Sequence, residues 1–472
     1  MVKSHRRKLK LIVVLTVIVG ILLMLAISQN ENLIDRSIVL GTPQMVFVML
    51  SASIIPLMLF LIILSLQKER HRLNDALGEP IEPEVNKEII EVVLDPEPIV
   101  NKEESVTEEE FETDSRFFML TQIDEKAKQP RLNPFEDNIT LEGICEEFRY
   151  YAASELRLFY DIQDIRRFIG GLSVSHIMIL QGMSGTGKTS LAYAFGEYLK
   201  NSTVVVPIQP MWKERTDLIG YYNEFTKKFN ETTLLQKLYE ASHNDQMYIT
   251  VLDEMNIARV EYYFAEFLSL LEIPDYKKRH LDVVSDVWET DPTLLSNGKL
   301  ILPRNMWFVG TANNDDSTFS ISDKVYDRAM VINLDKKAKP FLSKSVKGRS
   351  VSSIQFQKLV DKARKEYELS NRNLRRIKQL DQYLMTHFHI TFGNRIMQQI
   401  RNYVPVIVAC GGTELQALDD IMSKKVLRKL ETKNMVYVKS AAPGLIAYMD
   451  ELFGETEMGL CKEYIQNIEI NA

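Results

Sequence analysis

The stretch QGMSGTGKTS at residues 181–190 decides the fold class of this chain. It contains the spacing G-x-x-x-x-G-K-T, which is the Walker A pattern of phosphate-binding loops. The apolar segment HIMIL precedes it and the helical pattern TSLAYAFGEYL follows it, which is the strand–loop–helix context that the pattern requires. A chance match, the competing explanation, would lack this context. The sequence therefore predicts a parallel α/β domain that binds a nucleotide.

Each position of the loop has an expected chemical role. Glycines let backbone N–H groups turn toward phosphate oxygens, and the positive end of the following helix adds to the attraction. Lys188 is expected to reach the β- and γ-phosphates, and Thr189 to ligate Mg²⁺. ATP with Mg²⁺ is the expected nucleotide. GTP stays the alternative, because no short motif marks contacts to the base. The predicted nucleotide-binding residues of the loop are Gly182, Ser184, Gly185, Thr186, Gly187, Lys188, Thr189 and Ser190.

A second apolar segment, YITVLDE, ends in the adjacent carboxylates Asp253 and Glu254. An apolar strand that ends in this way, beyond a Walker A loop, predicts a Walker B strand. Asp253 is expected to hold the Mg²⁺ shell, and Glu254 to polarise the water that attacks the γ-phosphate. The sequence therefore predicts hydrolysis of the nucleotide as well as binding.

Two further positions complete the predicted catalytic site. The segment MWFVGTAN reads as a third strand, and Asn313 at its end is placed to orient the attacking water. Arg328 ends the helical pattern SDKVYDR and is placed to reach the nucleotide of a neighbouring subunit. The alternatives are that Asn313 only caps a turn and that Arg328 only ends a surface helix.

Three segments of the chain, in this order, resemble the AAA+ superfamily: GMSGTGKTS, LDEMNIARVEYYFAEFLSLLE and GTANNDDSTFSISDKVYDRA. Within the superfamily they are similar to the branch with McrB-type restriction NTPases, MoxR-like ATPases and dynein-related AAA domains. The similarity covers residues 140–335 and continues more loosely into an all-α C-terminal lid. It implies sensor 1 at Asn313, with Asn314 as the fallback, a trans-acting arginine finger at Arg328 and a sensor 2 arginine at Arg395. It also implies a ring oligomer, expected to be a hexamer.

The sequence departs from McrB itself in two respects. Its TANNDD stretch differs from the McrB segment near sensor 1, so the GTP preference of McrB is not carried over. A predicted membrane hairpin stands where McrB has a DNA-reading domain, so direct recognition of methylated DNA is not expected. Asn256 and Arg259 match polar positions that follow the Walker B strand in the family.

The N-terminal end predicts a two-pass anchor in the cell membrane. Apolar runs at about 10–28 and 45–66 are each long enough to cross about 30 Å of hydrocarbon as a helix. Lysines and arginines flank the pair outside its short connecting loop, so the positive-inside rule places both termini and the NTPase domain in the cytoplasm. A signal peptide is the alternative, and the second apolar run argues against it.

The predicted domains follow from motifs and composition. Residues 1–72 contain the basic start and both apolar runs, and residues 73–115, rich in Glu and Pro, predict a disordered acidic tether. Residues 116–345 are the predicted nucleotide-binding domain and residues 346–472 the predicted helical lid. The net charge of −7 indicates no overall nucleic-acid footprint, and the three cysteines show no metal or redox spacing.

The expected function is a membrane-anchored AAA+ NTPase that acts as an oligomeric remodelling motor or restriction-type defence motor on an unidentified protein effector or substrate. A nucleotide-gated membrane scaffold is one alternative, and a GTP-driven motor subunit for a separate nuclease is another. Nucleic-acid binding is the alternative interpretation of a basic cluster in the C-terminal region. A solvated helix face is the favoured interpretation, so the sequence does not indicate a nucleic-acid partner directly. That cluster comprises Arg372, Arg375, Arg376 and Lys378.

Overall fold

The described part of this computed structural model begins at the end of the predicted tether. It comprises residues 115–129, 134–136, 138–201, 203–313 and 318–471. The predicted membrane spans, at 10–28 and 45–66, lie outside these residues, as does the tether before Ser115. Within the described ranges, no helix is both long enough and apolar enough to cross a bilayer.

The strands of the described chain fall into one larger sheet and two hairpins. The larger sheet has the order β2-β5-β8-β1-β9, and every pair of neighbouring strands in it is parallel. The strands are β1 (Ile177–Gln181), β2 (Val204–Pro207), β3 (Gly220–Asn223), β4 (Lys228–Glu231), β5 (Tyr248–Asp253), β6 (His280–Asp282), β7 (Lys299–Ile301), β8 (Met306–Ala312) and β9 (Met330–Asn333). β3 pairs with β4, and β6 with β7, as antiparallel hairpins.

Helices cover both faces of the sheet and make up the C-terminal region. Those before the last strand are α1 (Met119–Ala127), α2 (Leu141–Glu155), α3 (Ile162–Val174), α4 (Lys188–Tyr198), α5 (Thr216–Ile219), α6 (Thr233–Ser242), α7 (Val260–Tyr263), α8 (Ala265–Glu272) and α9 (Asp323–Tyr326). Those after it are α10 (Ser353–Glu366), α11 (Asn371–Phe388), α12 (Gly393–Ala409), α13 (Glu414–Lys425), α14 (Met435–Phe453) and α15 (Gly459–Asn471). Short 3₁₀ turns lie at Met255–Ile257, Tyr276–Lys278 and Leu427–Thr432.

The central strands are apolar along their whole length because both of their faces are covered. Ile177 and Ile179 of β1 point into a core shared with α6 and α8, whereas Met178 and Leu180 point into a second core shared with α2, α3 and α4. Continuous apolar runs of this kind are typical of parallel strands buried on both faces. The predicted parallel sheet flanked by helices is confirmed.

The C-terminal region is helical, as predicted, and has its own apolar cluster. α12 packs against α3, α10 and α13, which attaches this region to the nucleotide-binding domain. The predicted boundary between residues 345 and 346 falls between β9 and α10, in a segment without helix or strand. Three residues of the basic cluster on α11, Arg372, Arg375 and Lys378, are exposed, while Ile377 and Leu380 of the same helix are buried. This arrangement agrees with a solvated helix face.

A buried ion-pair network ties the first described residues to the connection between β6 and β7. The guanidinium of Arg116 is buried and donates to both carboxylate oxygens of Asp291, each at 2.8 Å. It also donates to Asp286 at 2.8 Å and lies over the ring of Trp288, 4.6 Å from its centroid. Removing one partner of a buried ion pair leaves the other charge uncompensated.

We expect Arg116→Ala to lower the free energy of unfolding of the full-length chain by about 3–5 kcal/mol, because Asp291 would keep a buried, unpaired charge. Urea denaturation followed by tryptophan fluorescence measures this loss. Arg304→Ala is the control, because Arg304 pairs with Asp245 at 3.4 Å on the surface with both side chains about half exposed. A surface pair of this kind contributes about 1 kcal/mol or less. Equal losses in the two variants would contradict the prediction.

Candidate nucleotide-binding site

The phosphate-binding loop joins the carboxyl end of β1 to the first turn of α4, and its backbone requires glycine at both ends. Gly182 has φ 142° and Gly187 has φ 92°, conformations that residues with a side chain rarely adopt. A Cβ atom at Gly182 would also lie 2.5 Å from the carbonyl oxygen of Leu334. Gly187 is the N-cap of α4 and has no side chain to cap it. The first N–H groups of this helix can therefore serve phosphate oxygens.

Lys188 lies folded back over this loop. Its ammonium donates to the carbonyl oxygens of Gly182 at 2.9 Å and Met183 at 2.8 Å, and the residue is buried. The positive charge is thus held at the position where the loop would enclose phosphate groups. This geometry agrees with the expected contact to the β- and γ-phosphates.

The other predicted loop residues have less constrained positions. Ser184 and Gly185 form the exposed tip of the loop. The hydroxyl of Thr186 donates to the Met183 carbonyl at 3.0 Å, and Ser190 lies half-buried in the first turn of α4. The loop residues predicted from the sequence are therefore contiguous around one concave backbone segment, and their individual contacts with a nucleotide stay predictions.

The two predicted metal ligands touch each other. Thr189 Oγ1 donates to Asp253 Oδ1 at 2.6 Å, and Thr311 Oγ1 donates to the same oxygen at 2.9 Å. Asp253 ends β5, and Thr311 lies in the neighbouring strand β8. Mg²⁺ is usually held in proteins by one or two such oxygens together with water and substrate phosphates. A hydroxyl and a carboxylate beside a phosphate loop therefore fit this ion.

Glu254 follows β5 in a left-handed backbone conformation, with φ 52° and ψ 47°. This conformation costs a non-glycine residue about 1–2 kcal/mol, and such strain is often found at functional sites. Two contacts hold the backbone there: the N–H of Glu254 donates to Thr311 Oγ1 at 2.9 Å, and its carbonyl accepts from the N–H of Ile257 at 2.9 Å. The carboxylate itself is exposed next to Asp253 at the carboxyl edge of the sheet.

Asn313 directly follows β8, which lies between the Walker B strand β5 and the Walker A strand β1. Asn256 donates from its side-chain amide to the backbone carbonyl of Asn313 at 2.9 Å. Asn256 is buried, and its backbone carbonyl accepts from the N–H of Phe319 at 2.8 Å. Asn256 thus holds the sensor 1 segment against the Walker B segment, a positioning role that the sequence did not reveal. The fallback residue Asn314 lies outside the described residues.

Arg328 lies at the opposite edge of the sheet from the phosphate loop. It precedes β9, and its carbonyl accepts a hydrogen bond of 2.8 Å from Ser175, which precedes β1. β9 runs parallel to β1, with Met330 beside Met178. The five residues of β1 separate this edge from the loop by about 15 Å. Arg328 is therefore poorly placed for the phosphates of its own chain, and its trans-acting role stays a prediction.

Comparison with known proteins points to the same kind of domain. Residues 177–329 match the family model described as AAA domain (dynein-related subfamily). The chain thus carries an AAA domain. The matched range includes both Walker segments, Asn313 and Arg328. Residues 345–469 match a second model, described as Domain of unknown function (DUF8727). No curated protein sequence matches the chain.

Two solved structures are similar to the chain at a low level. A provisionally assigned ATPase from Cytophaga hutchinsonii has a TM-score of 0.42 and 13% identity, over 66% of this chain and 91% of that one. A full-length MCM homolog from Methanopyrus kandleri has a TM-score of 0.33 and 8% identity, over 65% of this chain and 61% of that one. At this level of similarity, neither structure says what this chain binds or does.

The structure does not bring Arg395 to the phosphate loop of the AAA domain in its own chain. Arg395 lies in the first turn of α12, which runs antiparallel along α3. Near the start of α3, Arg166 contacts the carbonyl of Cys410, which follows the end of α12. Further along α3, Gly170 contacts Tyr403 in the middle of α12. α12 therefore begins beyond the C-terminal end of α3, at the amino edge of the sheet. Arg395 instead donates to Glu272 at 2.7 Å. The resemblance implied a sensor 2 role for Arg395 and could not show how α12 packs.

A cavity of about 210 Å³ opens beside the phosphate loop of the AAA domain. Its walls come from the segment before α3, the loop itself and the residues after β9. The buried Tyr160 hydroxyl donates to the Gly187 carbonyl at 3.2 Å, and burial raises the pKa of this phenol above its usual range. The position suits a nucleoside base, although no short motif marked it.

A larger cavity of about 870 Å³ lies between the two hairpins, away from the Walker residues.

Proposed function

We propose that this protein is a membrane-anchored AAA+ ATPase whose active sites lie between neighbouring copies of the chain. The observation that carries the proposal is the hydrogen-bonded group at the carboxyl edge of the sheet. There Thr189 contacts Asp253 beneath the phosphate loop, and Glu254 is the next residue along the chain. The AAA domain supports NTPase activity. ATP is the proposed nucleotide and GTP the alternative.

The residues at this edge have complementary roles in the proposed reaction. Thr189 and Asp253 would hold Mg²⁺, which when bound neutralises charge on the phosphates. Lys188 would exchange its carbonyl partners for phosphate oxygens. Glu254 would accept a proton from the attacking water, and Asn313 would orient that water. Glu254, in its left-handed backbone conformation, directly follows the end of β5 at the carboxyl edge of the sheet.

The separation of the arginines from the loop supports a multimeric enzyme. Arg328 and Arg395 both contact Glu272, so they form one group at the amino edge of the sheet. We propose that this group faces the γ-phosphate bound by the next copy. An interface that joins two different edges of the same chain is heterologous, and repetition of it closes into a ring when the rotation allows. A hexamer is the expected ring.

The proposed anchor and biological role rest on the sequence prediction alone. The apolar runs at 10–28 and 45–66 would hold the ATPase at the cytoplasmic face of the cell membrane. ATP hydrolysis there would drive remodelling of a protein partner or power a defence effector. Purification of the full-length chain from membranes, with the protein partners that remain bound to it, tests this part of the proposal.

We expect Lys188→Ala to weaken nucleotide binding by about 100-fold, equivalent to about 2.7 kcal/mol, because the loop would lose its buried positive charge. Titration of the full-length chain with a fluorescent ATP analogue measures this loss, and displacement by unlabelled ATP or GTP ranks the two bases. Lys200→Ala is the matched control, since Lys200 lies just beyond the other end of α4 and pairs with Glu136. Retained affinity in a folded Lys188→Ala protein would refute the assignment of the loop.

A further inference from the structure

One carboxylate holds both of the arginines that the proposed function assigns to a neighbouring nucleotide. Glu272 is the last residue of α8, and its Oε2 accepts from Arg328 at 2.7 Å. Its Oε1 accepts from Arg395 at 2.7 Å. Each carboxylate oxygen therefore serves one guanidinium, and the two arginines come from separate parts of the chain, before β9 and at the start of α12.

Arg328 is directed inward, onto its own chain. One terminal nitrogen donates to Glu272, and the other donates to the carbonyl of Lys324 at 2.8 Å. The side chain is 24% exposed, and its Nε is buried without a hydrogen-bond partner in the described part of the chain. A side chain in this state must release at least one of these contacts before it can extend across an interface.

The backbone around Arg328 is held by separate contacts and does not need to move. Gln399 donates to the carbonyl of Asp327 at 3.2 Å, and Lys425 donates to the carbonyls of Tyr326 and Ala329. Both donors belong to the helical lid, on α12 and α13. The lid therefore fixes the segment from which Arg328 extends, and the side-chain contact with Glu272 is the part that can exchange.

The charges favour such an exchange. The hydrogen bond from Arg328, with the nearby charge of Arg395, lowers the pKa of Glu272, so this carboxylate is ionised at neutral pH. Two guanidinium groups then share a single negative charge. A γ-phosphate carries more negative charge than a carboxylate and offers more acceptor oxygens, so it can compete for both arginines.

We propose that Glu272 is a latch that holds Arg328 and Arg395 within their own chain until the γ-phosphate bound by a neighbouring copy replaces it. The inference rests on the proposed trans-acting role of Arg328. It adds an autoinhibitory contact, because a copy without a loaded neighbour keeps its arginines paired. ATP in one subunit would thus open the latch of the next.

The test is Glu272→Gln in the full-length chain in detergent, which keeps the shape of the side chain and removes its charge. We expect ATP turnover at limiting protein concentration to rise about threefold to fivefold, the upper part of the range for loss of an exposed ion pair. Glu266→Gln is the matched control: Glu266 lies on the same helix and pairs with Arg215 at 3.0 Å, with similar exposure. Its turnover should not change.

Self-association in the presence of a non-hydrolysable ATP analogue separates a latch from a structural role. Glu272→Gln should lower the protein concentration of half-maximal assembly about threefold or more with the analogue and leave it unchanged without nucleotide. The shift should disappear in the Glu272→Gln/Arg328→Ala/Arg395→Ala triple variant, which lacks both arginines that Glu272 holds. Unchanged or reduced assembly and turnover in Glu272→Gln, or a shift that persists without both arginines, would overturn the latch. Full turnover by Arg328→Ala alone would instead refute the shared active site, and the latch with it.

Discussion

Arg328→Ala is expected to reduce ATP turnover by about 10³-fold or more, the contribution of trans-acting arginines in related chemistry. The physical reason is the loss of a positive charge that would stabilise the transferring phosphoryl group. Nucleotide affinity of an isolated copy should stay within about twofold, because Arg328 lies at the opposite sheet edge from its own loop, about 15 Å away. Phosphate release and analogue titration on the same protein separate the two effects.

A mixing experiment tests whether the arginine acts between copies. Copies with Glu254→Gln keep Arg328, and copies with Arg328→Ala keep Glu254. Neither protein should turn over alone, but a mixture should regain activity where an intact arginine meets an intact pocket. Arg304→Ala, on the surface and paired with Asp245, is the control for loss of an arginine. A mixture that stays inactive, or a turnover per chain that does not change with protein concentration, would refute the proposed interface.

Glu254→Gln is expected to reduce turnover by about 10²–10⁴-fold, the usual contribution of a positioned general base. Glutamine keeps the size of the side chain and cannot accept the proton of the attacking water. ATP should still bind, because the loop and the contact between Thr189 and Asp253 do not involve this side chain. Phosphate release after rapid mixing with excess enzyme measures the chemical step directly.

Glu261→Gln is the control for this variant, because Glu261 lies in α7, a few residues further along the chain. It should hydrolyse ATP at the rate of the unchanged protein. Equal single-turnover rates for Glu254→Gln and the unchanged protein would favour the alternative of a nucleotide-gated membrane scaffold. A slow Glu254→Gln protein that still binds ATP would exclude that alternative.

The tertiary structure decided the position and partners of the arginines and of Asn256. Arg395 resembled a sensor 2 residue, but its distance from the loop depends on the packing of α12 along α3. The contact of Arg328 and Arg395 with Glu272 joins residues 56 and 123 positions apart. Such long-range contacts leave no local signal in one sequence. The role of Asn256 also became visible only where β5 and β8 lie side by side.

The sequence by itself determined the phosphate loop, the Walker B strand and the class of sheet that carries them. These features are local: glycine spacing sets the backbone of the loop, and continuous apolar runs predict strands buried on both faces. Only the tertiary structure decided which edge of the sheet each charged residue occupies. A loop conformation is specified by neighbouring residues, whereas the meeting of distant side chains depends on how helices pack over the whole domain.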